Sequence, residues 1–153
     1  MERSATRRMT AAGPLALIVV SAIAGCSHKS AQCQSLIGAV NGGTARLSSC
    51  EAERQKRSSG SAAQTAQDMR RLAAVYDENA RALDPAQLSE QELSFRAREY
   101  AQTSKNAADA AGTLASALDN QEHARAGEAE VLLERAVRDQ KATIARINEL
   151  CAR

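Results

Sequence analysis

The sequence predicts an all-α domain, an antiparallel up-down four-helix bundle, on three observations. Apolar residues recur at alternating spacings of four and three in four separate stretches, the signature of one face of a helix. Turn and stop signals fall between those stretches, at Ser58-Ser59-Gly60-Ser61, Asp84-Pro85 and Asp119-Asn120. The one hairpin-like pair, Asn41-Gly42, has no other strand-like run to join. A three-helix bundle is the alternative, if helices one and two or three and four are continuous.

The first helix is read from Cys33, Ile37, Val40, Thr44, Leu47 and Glu51, flanked by Leu36 and Cys50, with Ser30 as its N-cap. Gly42-Gly43 interrupts this face, and each glycine inside a helix costs about 1 kcal/mol relative to alanine. The pair therefore fits a kink or a close helix contact, with a hairpin at Asn41-Gly42 as the alternative. The second helix carries Met69, Leu72, Tyr76 and Leu83 on one side, with Ala73 and Ala80 beside them. Asp84-Pro85 stops it, because proline disfavours helical geometry in the preceding residue and has no N–H to give.

Ser89-Glu90-Gln91-Glu92 has capping-box spacing, which places Ser89 as N-cap of the third helix and returns the Glu92 carboxylate to it. Leu93, Ala97, Tyr100, Ser104, Ala107, Ala111, Leu114 and Leu118 then form an unbroken 4-3 seam. It is rich in alanine, so neighbouring helices can approach closely. After a turn at Asp119-Asn120, with Gly127 as a second candidate, the last helix shows Val131 and then Leu133, Val137, Gln140, Ile144, Ile147 and Cys151.

Ahead of the helices, Arg3, Arg7 and Arg8 precede a ten-residue apolar core from Leu15 to Ala24, with small residues and a cysteine behind it. A membrane span needs about 20 apolar residues, so this is the pattern of an export signal. Its end, Ile23-Ala24-Gly25-Cys26, resembles the lipobox of bacterial lipoproteins, with Ile at the position where Leu is commoner. The resemblance implies that the Cys26 thiol receives a diacylglyceryl group, that signal peptidase II cuts after Gly25, and that the new amino group is then acylated, with palmitate among the attached chains. By the same resemblance, Ser27 behind the lipidated cysteine, with no Asp there, implies the outer membrane; the expected side is its periplasmic face. Two or three acyl chains anchor stably where one gives marginal binding. The chain thus divides into a cleaved signal peptide at 1–25, a lipidated anchor and short linker at 26–32, and a helical bundle at 33–151.

Composition narrows the function. The full chain carries 20 Lys+Arg against 18 Asp+Glu, but Arg3, Arg7, Arg8 and Glu2 belong to the signal, which leaves 17 of each sign and no net charge beyond it. A neutral domain without Trp, whose aromatics are Tyr76, Tyr100 and Phe95, has neither the basic footprint nor the stacking platform of a nucleic-acid binder.

With Cys26 acylated, Cys33, Cys50 and Cys151 remain in an oxidising compartment, enough for one intrachain bridge. Cys33 and Cys50 stand about 25 Å apart on a continuous helix, far beyond the ~7 Å between Cα atoms that a disulfide spans. In an up-down bundle the start of the first helix and the end of the last share one end, so Cys33–Cys151 is the expected bridge and Cys50 the free thiol. A first helix kinked at Gly42-Gly43 would put Cys50 in Cys33's place. The pieces Cys33-Gln34-Ser35-Leu36-Ile37-Gly38-Ala39-Val40-Asn41 and Ile144-Ala145-Arg146-Ile147-Asn148-Glu149-Leu150-Cys151 look similar to the two ends of small, uncharacterised helical lipoproteins of Gram-negative bacteria. That likeness also implies paired termini.

Catalytic and metal chemistry has little to stand on. His28 and His123 are the two histidines, one in the linker and one at a turn, whereas a zinc site needs three or four converging ligands. There is no Cys-x-x-Cys, no Gly-x-Ser-x-Gly and no phosphate-binding glycine loop. Glu128, Glu130 and Glu134 lack the Glu-x-x-His partner of a carboxylate-bridged metal site and read as a solvated face. Met69 and His123 are the one pair that could be imagined on haem, but His123 lies off the apolar seam. The expectation is a non-enzymatic outer-membrane lipoprotein with no metal or cofactor, serving an envelope structural or protein-interaction role. Its partners would be the membrane through its lipid and an envelope protein or a second copy. The alternative is a binder of an apolar ligand or cofactor within the bundle.

Overall fold

A computed structural model describes the backbone of Ser21 to Arg153, apart from residues 58 and 59, and the side chains from His28 onward. Residues 1–20 of the export signal, and the side chains of its cleavage flank at Ile23, Ala24 and Gly25 and of Cys26, lie outside this described set. Among the described residues the chain is all-α: α1 spans Ser21–Lys56, α2 Ala62–Arg81, α3 Gln91–Asp119 and α4 His123–Cys151, with a single 3₁₀ turn at Pro85–Gln87. This is the four-helix bundle expected from the seams.

Contacts fix an alternating register. Arg57, just past the end of α1, meets Asp68 of α2 while Gly43 of α1 meets Asn79, and Ser104 of α3 meets Gln140 of α4 while Glu99 meets Arg146. In each pair one number rises as the other falls, as antiparallel neighbours require. α3 is the central helix and packs most extensively on α2 and α4, whereas α1 lies mainly along α2 and touches α3 and α4 sparingly.

The large aliphatic side chains are concentrated at one end. There Leu36 and Val40 of α1 pack with Leu93, Tyr100, Ile147 and Leu150, around Cys33. Burying each such side chain contributes about 1.5–3 kcal/mol. Farther along, the core thins to Tyr76 with Ala107, Ala108 and Ala136, and then to Met69 with Leu114, Ala115 and Ala129. α1 supplies fully buried side chains only to the first of these clusters.

Several local expectations need correction. Ser30 does not cap α1; it lies within the helix, which runs unbroken from Ser21, so residues 26–32 are helical as well. The buried face of α1 is centred on Leu36, Val40 and Gly43 rather than on Ile37 and Thr44, because Gly43 is the point of closest packing against α2 and α3. No hairpin forms at Asn41-Gly42. Gly127 sits inside α4, and the turn from α3 is made at residues 119–122, where Gln121 takes a φ of 57° and the Glu122 N–H returns to Ala117 O at 2.9 Å. Val131 points outward and is 64% exposed, since the seam of α4 runs instead through Ala129, Ala136, Gln140, Thr143 and Ile147.

The capping box is the most informative miss. α3 has Glu90, not Ser89, as its cap residue, and no side chain of its own caps it. Gln32 of α1 takes over: its Nε2 donates to Ser89 Oγ at 2.8 Å, and its Oε1 accepts from the Glu90 N–H at 3.2 Å. The hydroxyl is engaged by a neighbouring helix, so the local box does not close. Ser61, by contrast, caps α2 through its own hydroxyl, which accepts from the Gln64 N–H.

Candidate functional site

The end of the bundle where α1 begins and α4 finishes is closed covalently. Cys33 and Cys151 form a disulfide with Cα atoms 5.5 Å apart, which bridges 118 positions of sequence. Cys33 is buried in the aliphatic cluster, and Gln32 beside it holds the start of α3. The bond and the cap together fix α1 on the other three helices at this end.

A buried polar layer crosses the bundle next. On α2, Asn79 is 1% exposed; it accepts from Arg46 Nη2 at 2.8 Å and donates to Gly43 O at 3.4 Å. Between α3 and α4, Gln140 Nε2 donates to Ser104 Oγ at 2.8 Å, both side chains being buried. Thr143 satisfies its hydroxyl on Asp139 O and accepts from Arg146, which also reaches Glu99. Buried polar groups survive in a core only when paired; Asn79 ties α2 to α1 and Ser104 with Gln140 ties α3 to α4, whereas Thr143 is satisfied within α4. Ser104 and Gln140 stood on the sequence seams; Asn79 was missed, although it falls between Tyr76 and Leu83 at the same 3-4 spacing.

Beyond this layer α1 and α4 part and leave a groove. A cavity of about 490 Å³ is lined by Leu47 and Glu51 of α1, Tyr76 of α2, and Val137, Lys141 and Ile144 of α4. A second, of about 460 Å³, shares Glu51 and Val137 with it and continues over Met69, Leu72, Leu114 and Leu133. The floor is apolar and the rim carries Arg54, Glu130, Glu134, Arg138 and Lys141. Glu51 lies at the junction, with its carboxyl held below the usual range chiefly by the Arg54 guanidinium, which donates to it at 2.7 and 3.0 Å. Glu130 and Glu134 are exposed, as read, and stand at the mouth of this groove.

No family model, curated protein or solved structure matches this chain. The site is therefore read from its own chemistry.

Cys50 is the free thiol among the described cysteines and is half-buried in a cleft between α1 and α2 beside Arg46, Glu53 and Arg71. Burial pushes its pKa up from the ordinary value, and the carboxylates of Glu53, Asp68 and Glu51 push it the same way. A thiol kept protonated is a poor nucleophile. His28 is exposed and contacts Gln32 Nε2 at 2.7 Å, and His123 is exposed at the start of α4, outside the cluster that encloses Met69. Among the described residues no group of three or more His, Cys, Asp or Glu is placed to hold a metal, and no helix is long and apolar enough to cross a membrane.

Proposed function

We propose that this chain is a lipoprotein of the Gram-negative envelope, anchored through Cys26 at the periplasmic face of the outer membrane, with a non-enzymatic structural or protein-interaction role. The observation that carries the reading is the apolar run ending in Ile23-Ala24-Gly25-Cys26. The Cys33–Cys151 bond supports it, since such bonds persist in oxidising compartments. The unbroken course of α1 from Ser21 supports it too, because a lipid on Cys26 would then pass directly into a rigid element and hold the disulfide end of the bundle toward the bilayer. Globomycin, which blocks signal peptidase II, is the test: a lipidated precursor accumulates, and Cys26→Ser abolishes palmitate labelling. Unchanged processing and labelling would remove the anchor.

The groove between α1 and α4 favours a second reading of the role, in which the bundle carries an apolar ligand. Its two adjoining cavities fall within the ~300–1,000 Å³ range of small-molecule sites. Native mass spectrometry of protein purified from membranes reads this directly, as added mass that leaves on denaturation; a bare polypeptide mass counts against it.

A further inference from the structure

The bridge joins the first and last cysteines of the three that follow Cys26 and passes over the middle one. Cys33 and Cys50 are only 17 positions apart, whereas Cys33 and Cys151 are separated by 118 positions and Cys151 is made last of the three. In an unfolded chain the closure probability falls as loop length to the three-halves power, which favours Cys33–Cys50 by about 18-fold. The folded chain forbids that pair, because both residues lie on the continuous α1, about 25 Å apart at 1.5 Å per residue. A Cys33–Cys50 bond therefore keeps α1 from forming and holds Leu36, Val40 and Gly43 off the bundle.

We infer that the native bridge is reached by disulfide exchange through a Cys33–Cys50 precursor, and that the chain is thereby a substrate for a thiol–disulfide isomerising catalyst. A disulfide oxidant first takes two electrons and two protons from the Cys33 and Cys50 thiols and is itself reduced to two thiols. The thiolate of Cys151 then attacks Cys33 Sγ. The Cys33–Cys151 bond forms, the Cys33–Cys50 bond breaks, and Cys50 departs as a thiolate that takes up a proton, so this step needs no further oxidant. A catalytic thiol accelerates it by opening the precursor first. Folding of α1 makes the exchange one-way: Cys50 is carried away from the new bond into its cleft against α2, where its raised pKa keeps it protonated.

The inference does not rest on the lipid, so the experiment uses the full chain with Cys26→Ser in every sample. The reduced, unfolded protein is refolded with oxidised glutathione alone or with reduced glutathione added, trapped with iodoacetamide at intervals and mapped by peptide mass. Cys33–Cys50 is expected to exceed Cys33–Cys151 by about 18-fold at the earliest times, to convert slowly to Cys33–Cys151 under oxidised glutathione alone through Cys151 itself, and to convert faster when reduced glutathione is present. With Cys50→Ser, or Cys50→Ala should serine disturb the cleft, the native bond forms in oxidised glutathione alone. The inference is overturned if Cys33–Cys151 forms directly at one rate with and without Cys50, or if the mispaired chain fails to convert.

Discussion

The backbone of Gly43 in α1 lies against the Tyr100 hydroxyl of α3: a Cβ built on Gly43 would collide with that oxygen and come within 2.9 Å of the Asn79 carboxamide. Both neighbours are buried and Asn79 is hydrogen-bonded to α1. A methyl group has no room to enter. Gly43→Ala is expected to destabilise the fold by about 1–3 kcal/mol through overpacking, even though alanine is the better helix former. Gly42 is the control, because its added Cβ would meet only Arg46 Nη1 at 3.7 Å. Gly42→Ala should stabilise by about 0.5–1 kcal/mol. Urea midpoints that shift in opposite directions for the two adjacent glycines are the outcome expected.

Gln32 makes the second test. Its carboxamide satisfies both the Ser89 hydroxyl and the Glu90 N–H from a different helix, so Gln32→Ala leaves the start of α3 without its cap. The loss should be about 1 kcal/mol, and Ser89→Ala should be strongly non-additive with it in a double-mutant cycle. Glu92→Ala, which a local capping box would make costly, should change stability by less than about 0.5 kcal/mol.

This contrast marks what the sequence could and could not supply. The seam of α3 from Leu93 to Leu114 is buried throughout as read, and the pairing of Cys33 with Cys151 follows from counting helices and placing their ends. Periodicity carries that information because a helix face is a local property. The cap on α3, the centring of α1 on Gly43 and the groove at Glu51 and Val137 depend on which helices lie side by side and where they part. Those are tertiary facts; of them only the close contact at Gly43 has a local signal, the Gly42-Gly43 pair read as fitting a close helix contact. Asn79 is intermediate: its place on the α2 seam was readable, but its partners Arg46 and Gly43 belong to α1.

The disulfide should matter more than its single bond suggests. α1 contributes fully buried side chains to one cluster only and meets α4 sparingly, so the bond supplies much of what holds it in place. In the loop-entropy account a closure of this length contributes about 4–5 kcal/mol. Cys151→Ser, or reduction, should lower the urea midpoint accordingly. Hydrogen exchange should rise first in α1 around Leu36 and Val40, while α3 amides near Ala107 and Ala111 remain the best protected. Uniform loss of protection across all four helices would mean that α1 is not the part the bond retains.

Alkaline pH tests the buried tyrosines. Burial pushes the hydroxyls of Tyr76 and Tyr100 above the ordinary 10.0, since a phenolate in the core would lose its hydration. The folded state therefore holds these protons to higher pH than the unfolded chain does. Below pH 10.0 their contribution to stability is fully present; above it the unfolded chain releases protons that the folded chain retains, and stability falls as pH rises through the raised values. Urea midpoints measured from pH 8 to 11 should be level at first and then decline. Tyr76→Phe should flatten the decline, because its ring has no hydroxyl to ionise and Tyr76 donates no side-chain hydrogen bond that the change would break among the described contacts. Tyr100→Phe should flatten it too while relieving the contact at Gly43, so combining it with Gly43→Ala should recover part of the stability lost in Gly43→Ala alone. A decline of unchanged steepness in both phenylalanine variants would assign the alkaline transition to groups other than these two rings.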